Sequence, residues 1–141
     1  TKNLLREPDE FKLTIEQEEE YLKAVILSEN ECMFSVWDED KLISVSGFHG
    51  SHLNRIKHKV EFGISVLTEY QNQGIATKLM EVLCEKAKEM GKTKMELDVR
   101  EDNHGAIRIY LKSGFIKEGI RTNGFLVDGK YISLVLMGKI L

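Results

Sequence analysis

Apolar positions fall into short runs of two distinct periods along this 141-residue chain. Val60, Phe62, Ile64 and Val66 alternate with Lys59, Glu61, Gly63 and Ser65, the period of two that a half-buried strand requires. Ile75, Leu79, Val82, Leu83, Ala87 and Met90 then follow helical spacing, predicting a helix over 74–90 with Gly91 just past its end. Met95, Leu97 and Val99 return to strand alternation, and Asn103 can cap a short helix over 104–112 that Ser113-Gly114 stops. Ahead of these lie two strands, 32–37 and 42–48, joined as a hairpin by Asp38-Glu39-Asp40, then a polar, basic loop over 51–59. Two final strands are predicted at 115–122 and 131–137, linked through the turn signals Asn123-Gly124 and Asp128-Gly129. At the front, Thr14 and Gln17 fit a capping box, and Ile15, Leu22, Val25 and Ile26 form one stripe, predicting a helix over 15–28. The order α-β-β-β-α-β-α-β-β describes an α/β fold whose sheet combines hairpins with a crossover.

Composition narrows the function. A chain with 42% hydrophobic and 30% charged residues can bury a core, and its length suits one domain over 1–141. Twenty basic against 23 acidic residues give a net charge of −3, so no broad electrostatic footprint for nucleic acid or an anionic membrane is expected. No apolar run approaches the ~20 residues of a membrane span, and the first residues do not read as a signal peptide. Cys32 and Cys84 form no CxxC pair and read as reduced thiols of a cytoplasmic protein. His49, His52, His58 and His104 lack ligand spacing, so no metal is expected.

The sharpest chemical signal is Gln71-Asn72-Gln73-Gly74-Ile75-Ala76 between a strand and a helix. A helix N-terminus offers unpaired N–H groups and a positive dipole end, which together favour an anion. Gly74 lets a phosphate approach the backbone closely, although a loop that merely starts a helix would look the same. Neither GxGxxG nor GxxxxGK[ST] occurs.

Taken with its flanks, the pattern resembles a known family. Gln71-x-x-Gly74-x-Ala76 after a strand is similar to the coenzyme A motif of the GNAT N-acetyltransferases. Asn103, Ala106, Tyr110, Gly114 and Phe115 resemble that family's next signature, and the ending from Gly119 to Met137 is similar to its ribosomal-protein and amino-acid acetyltransferase branch. The resemblance implies a GNAT fold, a mixed and mostly antiparallel sheet with flanking helices. It implies acetyl-CoA as cosubstrate, a primary amine of a small molecule, amino acid or peptide N-terminus as acceptor, direct attack in a ternary complex, and a homodimer as one assembly state. Gln71, Gln73, Gly74, Ile75, Ala76 and Thr77 would hold the pyrophosphate, while Val66 would bond the pantetheine arm and supply the oxyanion donor. Asn103 would contact the pantetheine or simply cap its helix. Tyr110 would protonate the leaving thiolate, and a phenol near ~10 keeps its proton at pH 7, though helical spacing also suits a core tyrosine. Glu61 shares a strand face with Gly63 and Ser65 and would serve as general base, or stand as a solvated carboxylate.

Domains of the family begin with a strand and helix ahead of the helix at 15–28, so about 20–30 residues of the family pattern are expected to be missing before Thr1. The loop at 51–59 carries His52, Arg55, Lys57, His58 and Lys59 toward strand 60–66, an expected basic rim that would favour an acceptor bearing a carboxylate over a polycation. The rival from another class is a GNAT-like, coenzyme A-binding regulatory module without catalysis.

Overall fold

The computed structural model describes residues 30–141, so the helix expected over 15–28 lies outside the described residues. β1 (Glu31–Asp38) and β2 (Lys41–Gly50) form the expected hairpin, with Glu39 in the left-handed region at its tip. β3 (Lys59–Val66) pairs antiparallel with β2, and a short 3-10 turn (Thr68–Tyr70) leads to helix α1 (Ile75–Glu89). β4 (Lys94–Arg100), helix α2 (His104–Lys112), β5 (Ile116–Val127) and β6 (Lys130–Ile140) complete one six-stranded sheet in the order β1-β2-β3-β4-β6-β5. Among the described residues only the β3–β4 pair is parallel, so the sheet is mixed and mostly antiparallel.

Period explains the layers. On one face of the sheet, Phe48, Val60, Phe62, Met95, Leu97, Val99, Val135 and Met137 turn inward. Met80, Leu83, Cys84 and Ala87 meet them from α1 at i, i+3, i+4 and i+7, and Ile107 and Tyr110 meet them from α2. Leu83 and Ala87 are fully excluded from solvent, and truncating such a leucine costs about 2–5 kcal/mol. The free thiols of Cys32 and Cys84 also lie on this side, and burial pushes both above the usual thiol range.

The opposite face is charged. Lys59 and Lys94 both grip Glu96, at 3.0 and 3.2 Å, and Lys94 reaches Glu118 at 3.0 Å. Burial alone would raise the Glu96 carboxyl, but its hydrogen bonds to the two lysines bring it below the ordinary range.

One local expectation differs. Asn123-Gly124 is not a turn: β5 continues through it, and the register shifts between Arg121 and Phe125. Asn123 adopts φ 52° and its N–H donates to Ser133 Oγ at 3.2 Å, so residues favouring a turn are used for a bulge. A Cβ at Gly124 would come within 2.7 Å of Leu134, which explains the glycine. The turn itself is Asp128-Gly129, both at positive φ.

At Gly47 of β2, which pairs with Met33 of β1, a Cβ would collide with the backbone carbonyl oxygen of Cys32. Gly47→Ala therefore forces two strands apart. Urea denaturation should show stability lowered by about 1–3 kcal/mol with an unchanged slope, and an unshifted midpoint would refute the tight packing.

Candidate active site

β3 and β4 hydrogen-bond only where Lys59–Glu61 faces Lys94–Glu96, although β3 runs on to Val66 and β4 to Arg100. Beyond Glu61 the strands part. The Leu67 N–H donates to the Ile43 carbonyl at 2.9 Å, which makes 43/67 a hydrogen-bonded pair of the β2–β3 ladder. Alternation then leaves Ser44 and Val66 a non-bonded pair, and the Val66 N–H points away from β2 into the gap.

A cavity of about 450 Å³ occupies this opening. Of the residues singled out from sequence, Val66, Gln71, Gly74, Ile75, Ala76, Thr77, Asn103 and Tyr110 all line it; Gln73 and Glu61 do not. On the α1 side, Gly74 caps the helix at φ 80°, and its carbonyl accepts the Lys78 N–H at 3.1 Å. Among the described residues, none of the backbone N–H groups of residues 72–77 donates to a protein acceptor. No acidic residue in the first turn of α1 offsets the dipole, and a Cβ at Gly74 would meet nothing within 4 Å. The loop thus presents a row of free donors to open space.

The two glutamines have a role that spacing did not reveal. Gln71 Nε2 donates to the Val66 carbonyl at 3.1 Å, and Gln73 Nε2 donates to the Glu69 carbonyl at 3.2 Å. Both amides tie the loop to its own backbone. The loop is also braced from outside, because the Tyr70 hydroxyl donates to Asp38 at 2.8 Å and Lys41 pairs with Glu69 at 2.9 Å.

From α2, Asn103 accepts the Ala106 N–H at 3.3 Å, so the capping role is met while the residue also lines the cavity. Tyr110 is 8% exposed and packs edge-on against Phe62, with ring centroids 6.1 Å apart, and against Phe115 at 5.9 Å. It is a core residue and a cavity residue at once. Burial pushes its phenol up from 10.0 to about 12, and no protein group among the described residues bonds its hydroxyl.

Glu61 sits elsewhere. It faces the opposite side of β3, exposed, with His49 Nε2 3.3 Å away, and five residues from Val66, or about 16 Å along the strand. Asp98, which sequence alone did not single out, shares that face two residues beyond Glu96, nearer the opening. Burial and the neighbouring Glu61 charge raise its carboxyl above the usual range. The basic loop also departs from expectation. Residues 51–58 join the opposite end of β3, where His58 accepts from Thr93, about 23 Å along the strand from Val66. These cations therefore do not rim the cavity. Instead Arg108 and Lys112 line it, a pair visible in sequence only as an i, i+4 spacing within α2.

Among the described residues, no three His, Cys, Asp or Glu side chains group as metal ligands, and no helix is long and apolar enough to cross a membrane.

The sequence profile of the acetyltransferase (GNAT) family matches residues 1–115. The L-amino acid N-acetyltransferase of Escherichia coli K12 is 33% identical over 87 residues, 61% of this chain and 54% of that protein. The spermidine N(1)-acetyltransferase of the same strain is 33% identical over 90 residues, 60% of this chain and 46% of that protein. The chain thus spans about half the length of the curated relatives it matches. A GNAT-family acetyltransferase from Streptococcus pneumoniae, known from its crystal structure, superposes with a TM-score of 0.94 at 27% identity, covering 100% of this chain and 85% of that one.

The environment of Tyr110 has a direct spectroscopic consequence. Ultraviolet titration should reveal one phenol, absent in Tyr110→Phe, that ionises near pH 12 rather than 10. Because the folded pKa is the higher, its contribution to stability is complete below pH 10 and is lost as pH rises toward 12. A normal titration at pH 10 would contradict the buried placement.

Proposed function

The chain belongs to the acetyltransferase (GNAT) family, and from that premise we propose that it transfers the acetyl group of acetyl-CoA to a primary amine. One observation carries the reading: the run of unpaired N–H groups over residues 72–77 opens onto the same cavity as the Val66 amide and the Tyr110 phenol. Free amides at a helix start suit a pyrophosphate, and the gap between β3 and β4 suits an extended chain bearing its own amide groups.

In this reading the thioester carbonyl lies at Val66, whose N–H stabilises the oxyanion formed when the amine nitrogen attacks. The new C–N bond forms, the C–S bond breaks, and the sulfur departs toward Tyr110. A phenol near 12 is a weaker acid than an ordinary thiol near ~8.5, so Tyr110 acts first as hydrogen-bond donor to the developing thiolate. The proton it passes to sulfur is replaced from water. The amine proton leaves on the opposite face, through water to Glu61 or Asp98. Gln71 and Gln73 hold the phosphate loop in shape, and Asn103 fixes the start of α2.

The acceptor is an amine whose further identity is open to direct assay, because the two relatives named above differ on it: one takes L-amino acids, the other spermidine. Thiol release from acetyl-CoA should rise with at least one member of a panel containing an L-amino acid, its amide, spermidine and a short peptide. Binding of acetyl-CoA with no release across the panel would favour a non-catalytic coenzyme-binding module. Tyr110→Phe should lower kcat about 10- to 1,000-fold with little change in acetyl-CoA affinity. Equal turnover would leave Tyr110 a packing residue.

Gly74→Glu should weaken acetyl-CoA binding at least ~10-fold by calorimetry. Gly74→Ala shares the strain of φ 80° without the charge and serves as its control. Equal losses in both variants would count against a phosphate at this position.

A further inference from the structure

The stretch from Thr68 to Lys78 contains the free amides, yet burial does little to fix its course. Every residue in it is at least partly exposed, and Asn72 and Gly74 adopt positive φ. The last bond of β3 to β2, from the Leu67 N–H to the Ile43 carbonyl, lies just ahead of it. A stretch without a core side chain keeps one shape only where polar contacts impose it.

Those contacts come from the tip of the β1–β2 hairpin, 32 and 28 positions away in sequence. The Tyr70 hydroxyl donates to Asp38 Oδ2 at 2.8 Å, and Lys41 Nζ donates to Glu69 Oε2 at 2.9 Å. Lys41 Nζ also stands 5.6 Å from the centroid of the Tyr70 ring, within cation–π range. The bond to Asp38 raises the Tyr70 phenol above its ordinary range, and the bond to Glu69 does the same for Lys41. Both donors therefore keep their protons at neutral pH. Glu69 is the node of this network. Lys41 holds its side chain, while its carbonyl accepts Gln73 Nε2 at 3.2 Å, one residue before Gly74. The Thr68 carbonyl likewise accepts the Gln71 N–H at 3.2 Å. A line of contacts thus runs from the hairpin tip to the start of α1. Asp38, Lys41, Glu69 and Tyr70 all stand outside the cavity lining, so they can act on a ligand only through the loop.

Resting on the acetyl-CoA reading, we propose that Asp38 and Lys41 are positioning residues that hold Tyr70 and Glu69, so that the amides of residues 72–77 are aligned before the pyrophosphate arrives. An isolated ion pair at the surface contributes little, but these contacts converge on one three-residue turn. A loop ordered in advance loses less freedom on binding, so affinity rises without any contact to the ligand. Charge alone gives the opposite expectation. Asp38 and Glu69 are themselves anions, and removing them would tighten the binding of another anion if electrostatics were all that mattered.

Two double variants of equal net charge isolate the bonds. Asp38→Ala with Glu69→Ala deletes both side-chain acceptors. Asp38→Asn with Glu69→Gln deletes the same two charges but keeps an acceptor oxygen at each place. By calorimetry the alanine pair should bind acetyl-CoA ~3- to 10-fold more weakly than wild type, the factor one net hydrogen bond is worth. The amide pair should recover most of that loss. Thermal melting should barely separate the three proteins, since surface contacts add little to global stability. Hydrogen exchange should quicken at the Gln71 and Lys78 amides of the alanine pair and stay unchanged in β3. An alanine pair that binds as tightly as wild type, or more tightly, would overturn the proposal, as would an equal loss in both pairs. A lowered melting midpoint with faster exchange throughout the sheet would also overturn it, by showing a general structural role. A wild-type chain that does not bind acetyl-CoA would overturn the acetyl-CoA reading and this proposal with it. Wild-type binding that neither pair alters would overturn the proposal alone.

Discussion

The separation of β3 from β4 is the constraint on which the rest of this structure depends. Two parallel strands that share a ladder only over Lys59–Glu61 and Lys94–Glu96 leave later backbone groups unpaired, and a protein interior does not tolerate many such groups. Here they open onto a cavity. The sheet consequently behaves as two three-stranded halves, β1-β2-β3 and β4-β6-β5, joined by a short ladder and by α1 crossing between them. Phe62 on one half touches Tyr110, which lines the opening and also meets Phe115. A ligand lying in the gap would bond with both halves and tighten them together.

Electrostatics follow a second division, between the two faces of the sheet. The face away from the helices carries carboxylates and lysines interleaved as a ladder around Glu96, while on the helix side the cavity meets free N–H groups and, among the described residues, no acid. Net charge alone gave no hint of this arrangement.

Elements with strong periodicity were readable from sequence because one physical cause dominates each. Val60 through Val66 alternate since one side of β3 is buried, and α1 shows its stripe since the same core covers it. Asn103 and Gly114 announced the ends of α2 because a cap and a positive φ have distinct chemistry. Asn123-Gly124 misled because the same preference for positive φ serves a bulge as well as a turn, and only pairing with β6 tells them apart. The loop expected over 51–59 misled for a different reason. Adjacency in sequence to β3 says nothing about which end of the strand bears the site. Glu61 shows the same blindness, since alternation fixes its face and not its distance from Val66. Gln71 and Gln73 were recognisable as a motif, but their partners, the carbonyls of Val66 and Glu69, depend on how the loop folds back.

The irregular course of β5 has a consequence for the molecule's behaviour in company. Among the described residues β5 is the last strand of the sheet order, and Ile116, Ile120 and Leu126 on it are largely exposed. A flat, apolar edge of that length would template the addition of a strand from another chain. The register shifts between Lys117 and Gly119 and again between Arg121 and Phe125, and Lys117, Glu118 and Arg121 put charges along the same stretch. No incoming strand could pair regularly across both breaks. The bulge at Asn123-Gly124 thus protects the chain against edge-to-edge aggregation, a service to solubility that has nothing to do with catalysis.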